Sequence, residues 1–142
     1  MIICDTSGVL AAIDGSQRFH RAARAVIEAE PGPLVLSPFV LAELDYLLAT
    51  RVGMDAQLGL LEEVARGAFR LEAFQASDVG VANEIILKYR DLAIGLADAS
   101  VVLLANRYRT NRVFTLDQRH FRLIRPRYGK AFDLLPLDAW VK

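Results

Sequence analysis

The chain has 142 residues, of which 54% are hydrophobic and 24% are charged, with 17 basic and 17 acidic side chains. This composition excludes an intrinsically disordered chain, and the length fits one compact domain spanning residues 1–142. The only cysteine, Cys4, excludes an intramolecular disulfide, and no apolar run is long enough to span a bilayer, so we expect a cytoplasmic protein with no membrane partner.

The first half of the chain alternates strand and helix patterns. An apolar run at 1–4 predicts a buried strand ending in a polar turn, in which Ser7 caps the first helix. Ser37 and Pro38 mark another helix start, because a serine cap followed by proline favours the first helical turn. The predicted elements are a strand at 1–4, helices at 7–15 and 18–29, a strand at 34–36, and helices at 38–51 and 55–65.

The second half continues the same alternation. Its predicted elements are a strand at 68–71, helices at 77–89 and 97–108, a strand at 112–115, a helical turn at 118–123, and a strand at 132–135. Strands separated by helices imply a parallel sheet with both faces covered. The sequence therefore predicts an α/β/α sandwich with a central, mainly parallel five-stranded sheet.

Four acidic residues occupy positions that point to one shared site. Asp5 and Asp117 directly follow predicted strands, and ligands of open parallel sheets bind beyond the carboxyl ends of the strands. Glu43 has apolar neighbours at i−3 and i+4 on its helix, and Asp98 has them at i+3, i+4 and i+7. A carboxylate on a core-facing stripe costs several kcal/mol, roughly, unless it is paired or binds a metal.

Each acid also has a structural interpretation when taken alone. Asp98 fits the N-terminal turn of a helix, Asp5 and Asp117 fit turns or caps, and Glu43 fits an ion pair with an arginine. A shared crevice explains all four together. Four carboxylates without metal-spaced histidine or cysteine favour Mg²⁺ or Mn²⁺, and their mutual repulsion is expected to raise some of their pKa values.

The charge is unevenly distributed although its total is zero. Residues 88–130 contain ten basic and three acidic side chains, whereas residues 1–87 contain six basic and twelve acidic ones. This asymmetry is compatible with a polyanion-binding face, and equally with a solvated basic surface. Arg112, Arg119 and Arg122 are the candidates for contacts with the phosphate backbone of such a polyanion.

Four sequence strings resemble the PIN-domain family, in particular the VapC-type toxins of bacterial toxin–antitoxin pairs. They are IICDTS around Asp5, LAELDYLL around Glu43, GLADAS around Asp98 and TLDQRHF around Asp117. Each string is weakly diagnostic alone, but their order and the chain length make the combination specific, and the resemblance covers nearly the whole chain.

The resemblance implies a PIN fold and an endoribonuclease that cleaves RNA phosphodiester bonds with a metal-activated water. It places Asp5, Glu43, Asp98 and Asp117 as the catalytic and metal-binding acids, with Ser7 and Thr115 supporting them. It further implies Mg²⁺ or Mn²⁺ as cofactor, a homodimer, and a cognate antitoxin protein as partner.

Other functions remain open at the level of sequence. A PIN-type nuclease of RNA processing needs no antitoxin, and a binding module with this fold needs no intact acidic set. A phosphatase with Asp5 as nucleophile is a further alternative. The second aspartate of the haloacid-dehalogenase pattern is absent, because Ser7 occupies its position, and the early acidic pair of a receiver domain is also absent.

Overall fold

The computed structural model describes residues 1–129 and 131–139. Lys130, which belongs to the basic segment, and residues 140–142, at the end of the predicted domain, lie outside these ranges. The strands described are β1 (Ile2–Cys4), β2 (Leu34–Leu36), β3 (Arg70–Leu71), β4 (Arg112–Thr115) and β5 (Asp133–Pro136).

Helices connect these strands in the predicted alternation. They are α1 (Thr6–Ile13), α2 (His20–Ala29), α3 (Pro38–Arg51), α4 (Met54–Ala65), α5 (Ala76–Lys88), α6 (Leu96–Tyr108) and α7 (Gln118–Phe121). A single 3-10 turn, Arg90–Leu92, which the sequence patterns did not predict, precedes α6. Element bounds differ from the predicted ones by one or two residues in most cases, because helix ends and short strands carry weak local signals.

The strands form one sheet in the order β3-β2-β1-β4-β5, and every neighbouring pair is parallel. The chain leaves the central strand β1 in one direction toward β2 and later returns to its other side with β4. The predicted α/β fold with a five-stranded parallel sheet is confirmed.

The central strands are buried on both faces. Ile2, Ile3 and Cys4 of β1 are all 0% exposed, and successive strand residues point to opposite sides of a sheet. Helix α6 contacts β1 and β4, while α1 contacts β4 and α2 contacts β5. Layers of helix on both sides therefore hold β1 and β4 in a fixed position, as the predicted sandwich requires.

Helix α1 approaches β4 so closely that only glycine fits at one position. A Cβ atom at Gly8 would lie 2.4 Å from the Phe114 carbonyl oxygen. Since this contact involves backbone atoms, no side-chain adjustment relieves it. Gly8 thus brings the first turn of α1 against the carboxyl end of β4.

No helix in residues 1–129 and 131–139 is long and apolar enough to cross a membrane. The longest, α3, has 14 residues, and a bilayer span needs about 20.

Candidate active site

The carboxyl ends of β1 and β4 meet where the chain reverses its direction across the sheet. Cys4 pairs with Phe114, and the amide of Asp5 donates to the Phe114 carbonyl at 3.0 Å. Such a switch point is the usual ligand site of a parallel sheet. A cleft of about 230 Å³ opens there, and its lining includes Asp5, Glu43, Asp98 and Asp117.

Asp5 lies at the bottom of this cleft and is 4% exposed. The Thr115 hydroxyl donates to its Oδ2 at 2.7 Å, and the Ser7 hydroxyl lies 3.3 Å from the same oxygen. Ser7 and Thr115 are themselves 3.1 Å apart. The two hydroxyls predicted to support the acids thus contact Asp5 directly and fix the orientation of its carboxylate.

Burial is the main reason why the pKa of Asp5 is raised to about 7. The Thr115 hydrogen bond opposes this shift, while the negative charges of Asp98 and Asp117 add to it. Burial likewise raises the pKa of Asp98, with smaller contributions from Asp117 and Glu43. The expected upward shift is therefore present, but desolvation contributes more than the predicted mutual repulsion.

Ser7 does not cap α1, in contrast to the sequence-based prediction. The helix begins at Thr6 and its N-cap position is Asp5. The Ser7 hydroxyl instead accepts a hydrogen bond from the Leu116 amide at 2.9 Å, in addition to its contacts with Asp5 and Thr115. The Ser7 hydroxyl makes tertiary contacts instead of a local helix cap, because Gly8 allows β4 to approach the first turn of α1.

Replacing Ser7 with alanine is expected to destabilise the protein by about 1–2 kcal/mol, because the Leu116 amide then loses its acceptor inside the fold. Thermal unfolding measures this change. Ser16→Ala is the control, since Ser16 contacts only exposed Asp14 atoms in the described structure. Equal melting temperatures for wild type and Ser7→Ala would contradict the bridging role of this hydroxyl.

Asp98 and Asp117 approach one another from two different helices. Asp98 lies in the first turn of α6 and accepts from the Gly95 amide at 3.3 Å. Asp117 is the N-cap of α7, where it accepts from the His120 amide at 3.1 Å. Both acids therefore use one oxygen to stabilise the start of a helix. Each acid thus has the structural role considered from the sequence and also lines the cleft.

His120 lies beside the cleft and contacts two of its acids, although it was not among the predicted site residues. Its Nδ1 lies 3.1 Å from Asp117 Oδ2 and 3.5 Å from Asp98 Oδ2. This nitrogen is buried and has no hydrogen-bond partner of acceptable geometry in the described residues. One ligand atom each from Asp98, Asp117 and His120 lies within 4.8 Å of the others, so the three side chains can reach a single cation.

The donor set therefore fits a divalent metal but differs from the predicted one. Carboxylate oxygens suit Mg²⁺ and Mn²⁺, while an added imidazole nitrogen is the softer ligand expected for Mn²⁺ rather than Mg²⁺. The i, i+3 spacing of Asp117 and His120 places both on one side of a helical turn, which is the signal that identifies the histidine.

Glu43 is exposed at the rim of the cleft, so the prediction that its side chain faces the core is wrong. The buried stripe of α3 consists of Val40, Leu44 and Leu48, one position away from Glu43. Asp45, two residues further along α3, accepts from Gln57 on α4 at 2.8 Å and is not part of the cleft lining.

Arg51 also lines the cleft and was missed. It follows Glu43 and Leu47 at i+8 and i+4 on α3, so all three lie on one face of the helix. Its guanidinium places a positively charged group on the α3 side of the cleft, whose other charged lining residues are acidic.

Two of the three arginines proposed for RNA contact have protein partners. Arg112 starts β4 at the opposite edge of the sheet from the cleft, with its Nη1 2.6 Å from Glu30 Oε2. Arg122 donates to both carboxylate oxygens of Asp138, at 2.8 and 2.6 Å. Arg119 is exposed and lies in a concavity that also contains His120. Of these three arginines, Arg119 is thus the one that lies beside the acidic cleft.

A parallel sheet with clustered carboxylates at its central switch point defines the class of protein expected from the sequence motifs. The family model of the PIN domain matches residues 2–126. The chain belongs to the PIN-domain family.

Two relatives specify the comparison further. The chain is 47% identical over 135 residues to Ribonuclease VapC26 of Mycobacterium tuberculosis (strain ATCC 25618 / H37Rv), covering 95% of this chain and 100% of the relative. The crystal structure of VapC20 from Mycobacterium tuberculosis, described as a sarcin–ricin loop cleaving toxin, superposes with a TM-score of 0.77. That match has 21% sequence identity and covers 82% of this chain and 90% of VapC20, so it supports the fold alone.

Proposed function

We propose that this protein is a divalent-metal-dependent endoribonuclease, the toxin of a VapBC-type toxin–antitoxin pair. The observation that carries the proposal is the meeting of Asp5, Asp98, Asp117 and Glu43 in one cleft. The 47% identity to a VapC ribonuclease supports RNA as the substrate class. An acidic cleft by itself repels a polyanion, so a cation is needed for phosphate to enter.

The three aspartates have different roles in binding that cation. Asp98 and Asp117 would hold it with one carboxylate oxygen each, and His120 with a ring nitrogen. Asp5 contributes charge from the floor, where Thr115 and Ser7 fix its orientation. When bound, Mg²⁺ or Mn²⁺ would supply Lewis acidity toward water and the phosphodiester.

Glu43 and Arg51 face the substrate from α3. Water attacks phosphorus, Glu43 takes up a proton of that water, and the bond from phosphorus to the 3′ oxygen breaks. The departing oxygen gains a proton from solvent, which gives a 3′ hydroxyl and a 5′ phosphate. Arg51 pairs with a nonbridging phosphate oxygen, since it is the cleft's own cation.

Purified protein incubated with total cellular RNA tests the proposal. We expect discrete cuts with Mg²⁺ or Mn²⁺ and none with EDTA. The Asp98→Asn variant, with an unchanged circular dichroism spectrum, is expected to be inactive under saturating metal. Cleavage that persists in EDTA or in Asp98→Asn refutes the metal site, and no cleavage by folded, metal-supplemented protein favours the binding-module alternative.

The partners complete the proposal. A cognate antitoxin and a homodimer follow from the VapC relationship, together with a cytoplasmic location where RNA is accessible. Exposed apolar side chains on α3 and α4, Tyr46 and Met54 among them, offer surface for such contacts. Light scattering should give twice the 15.7 kDa chain mass. A monomer at micromolar concentration would contradict the dimer. The absence of an antitoxin gene beside the gene for this protein would favour the RNA-processing alternative.

A further inference from the structure

We propose that a groove between α5, α6 and segment 123–128 binds the single-stranded RNA that flanks the cut bond. This inference rests on the proposed function and adds a binding surface outside the acidic cleft. We call it the α5–α6 groove, and its basic lining residues are Lys88, Arg107, Arg119, Arg125 and Arg127.

The groove consists of three concavities that follow one another along segment 119–128. The one of about 380 Å³ begins beside the acidic cleft, because its lining includes His120 together with Arg119. The second, about 440 Å³, lies between α5, α6 and Arg125. The third, about 250 Å³, shares Asn106 and Arg127 with the second, so the two are continuous.

Positive charge predominates along these concavities. Their lining contains two acids, Asp78 and Asp91, and the five cations Lys88, Arg107, Arg119, Arg125 and Arg127. Arg107 Nη2 lies 3.1 Å from Asp78 Oδ1, so the charges of these two side chains compensate each other. Without counting this pair or Arg125, the described lining still has three cations, Lys88, Arg119 and Arg127, against Asp91, in a protein whose net charge is zero. A local excess of this kind attracts a phosphate backbone.

Two tyrosines add a second feature suited to RNA. Tyr128 is 41% exposed and lines the groove, with the Arg109 guanidinium carbon 4.8 Å from its ring centroid. Tyr89 lines the neighbouring concavity, with Lys88 Nζ 5.4 Å from its ring centroid. Aromatic rings beside cations are the usual elements of single-strand binding, because bases stack on the ring while the cation binds phosphate.

The segment that carries the arginines is fixed to both helices. The Arg127 amide donates to Asn106 Oδ1 on α6 at 2.7 Å, and the Arg125 amide donates to the Tyr89 hydroxyl at 3.1 Å. The backbone of this loop is therefore already ordered. Binding RNA orders only the side chains, which lowers the entropic cost.

Helix α6 sets the length of the groove. Asp98 lies in its first turn and Arg107 in its last, which separates them by about 14 Å at 1.5 Å per residue. A strand bound at the cleft and continuing along α6 thus passes Arg119, then Arg125 and Lys88, and then Arg127.

Fluorescence anisotropy with a fluorescein-labelled oligouridylate tests the groove. All variants carry Asp98→Asn so that the RNA stays intact. Lys88→Gln/Arg127→Gln is expected to weaken binding about 10-fold, and to lower the slope of log affinity against log salt by about 1.4, since each lost phosphate contact on a single strand removes about 0.7. Arg24→Gln/Arg66→Gln removes the same charge from α2 and the C-cap of α4 and is expected to leave both values unchanged.

Tyr128→Leu separates stacking from charge. We expect its affinity to fall about 5-fold with an unchanged salt slope, because base stacking releases no counterions. Equal losses in the Arg24/Arg66 control would show a net-charge effect only and would overturn the proposal. Unchanged affinity in Lys88→Gln/Arg127→Gln would overturn it as well.

The binding measurement is independent of cleavage. Wild-type protein that cuts no RNA refutes the proposed nuclease but leaves the groove to be judged by affinity and salt slope. Conversely, active protein with unaltered binding in Lys88→Gln/Arg127→Gln removes the groove and leaves the nuclease intact. The two failures are therefore distinguishable.

Discussion

Asp5→Asn is expected to lower RNA cleavage by at least roughly 10³-fold and, at the same time, to stabilise the metal-free protein at pH 8. The loss of activity follows from removing one charge from the cation site. The gain in stability follows from burial, because Asp5 is 4% exposed and burial raises its pKa to about 7. An asparagine retains an oxygen that accepts the Thr115 hydroxyl at the same place.

The direction of the pH effect follows from proton binding. The pKa of Asp5 in the folded state lies above its ordinary value of 3.8, so the folded protein binds more protons than the unfolded chain between about pH 4 and pH 7. Wild-type stability in EDTA should therefore fall as pH rises through this range. The advantage of Asp5→Asn should be absent at pH 4 and reach about 2 kcal/mol at pH 8.

Thermal melts in EDTA across this pH range, repeated with Mn²⁺, measure the effect. Manganese should raise the melting temperature of wild type far more than that of Asp5→Asn. Asp45→Asn is the matched control, because Asp45 contacts Gln57 on α4 and lies outside the cleft. Cleavage above a tenth of the wild-type rate in Asp5→Asn would exclude Asp5 from the metal site.

Glu30→Gln is expected to cost about 2 kcal/mol of folding stability at pH 7, which lowers the melting temperature by roughly 6–8 °C. The Glu30 side chain is 1% exposed. It lies 2.6 Å from Arg112 Nη1, accepts from the Gly32 amide at 3.0 Å, and lies 2.9 Å from the amino group of Met1. Glutamine leaves Arg112, which is 37% exposed, without its charged partner, so part of the loss is recovered by solvation.

This destabilisation should depend on pH in the opposite sense to that of Asp5. Burial raises the pKa of Glu30, but the hydrogen bonds from Met1, Gly32 and Arg112 outweigh it and lower the pKa to about 2. Since the folded pKa lies below the ordinary value of 4.5, the stabilisation is complete above pH 4.5 and disappears as pH falls toward 2.

Denaturant unfolding at pH 7 and pH 2.5 measures both predictions for Glu30. Glu28→Gln is the control on the same helix, because Glu28 forms an exposed pair with Arg24 and should change stability by less than about 0.5 kcal/mol. A Glu30→Gln variant as stable as Glu28→Gln at pH 7 would show that this ion cluster contributes nothing net. Cleavage by folded Glu30→Gln should match wild type, since Arg112 lies at the opposite edge of the sheet from the cleft.

Arg112 and Arg122 illustrate why the basic residues were the least predictable part of the molecule. Their number and clustering are properties of the sequence, but their partners, Glu30 and Asp138, lie 82 and 16 positions away along the chain. Which arginine pairs with an acid and which lines a groove depends on packing between distant elements. The α5–α6 groove is accordingly visible only in three dimensions.

His120 and Arg51 show the same limit inside the site. His120 is near Asp117 in the sequence, but its proximity to Asp98 depends on the packing of α6 beside α7. Arg51 and Glu43 share a helix face, but only the position of α3 at the mouth of the cleft makes that face relevant. Glu43 was misplaced for the same reason, because the core-facing stripe of α3 lies one residue away from it.

The sequence by itself determined the alternation of strands and helices, the parallel sheet and the strand-end positions of Asp5 and Asp117. These features follow from local patterns of period 2 and 3.6, from caps, and from the rule that parallel strands end at one edge. The tertiary structure alone decided the burial of Asp5, the addition of His120 and the separation of paired from groove-lining arginines. Burial and pairing are set by atoms far apart in the chain, so no local pattern encodes them.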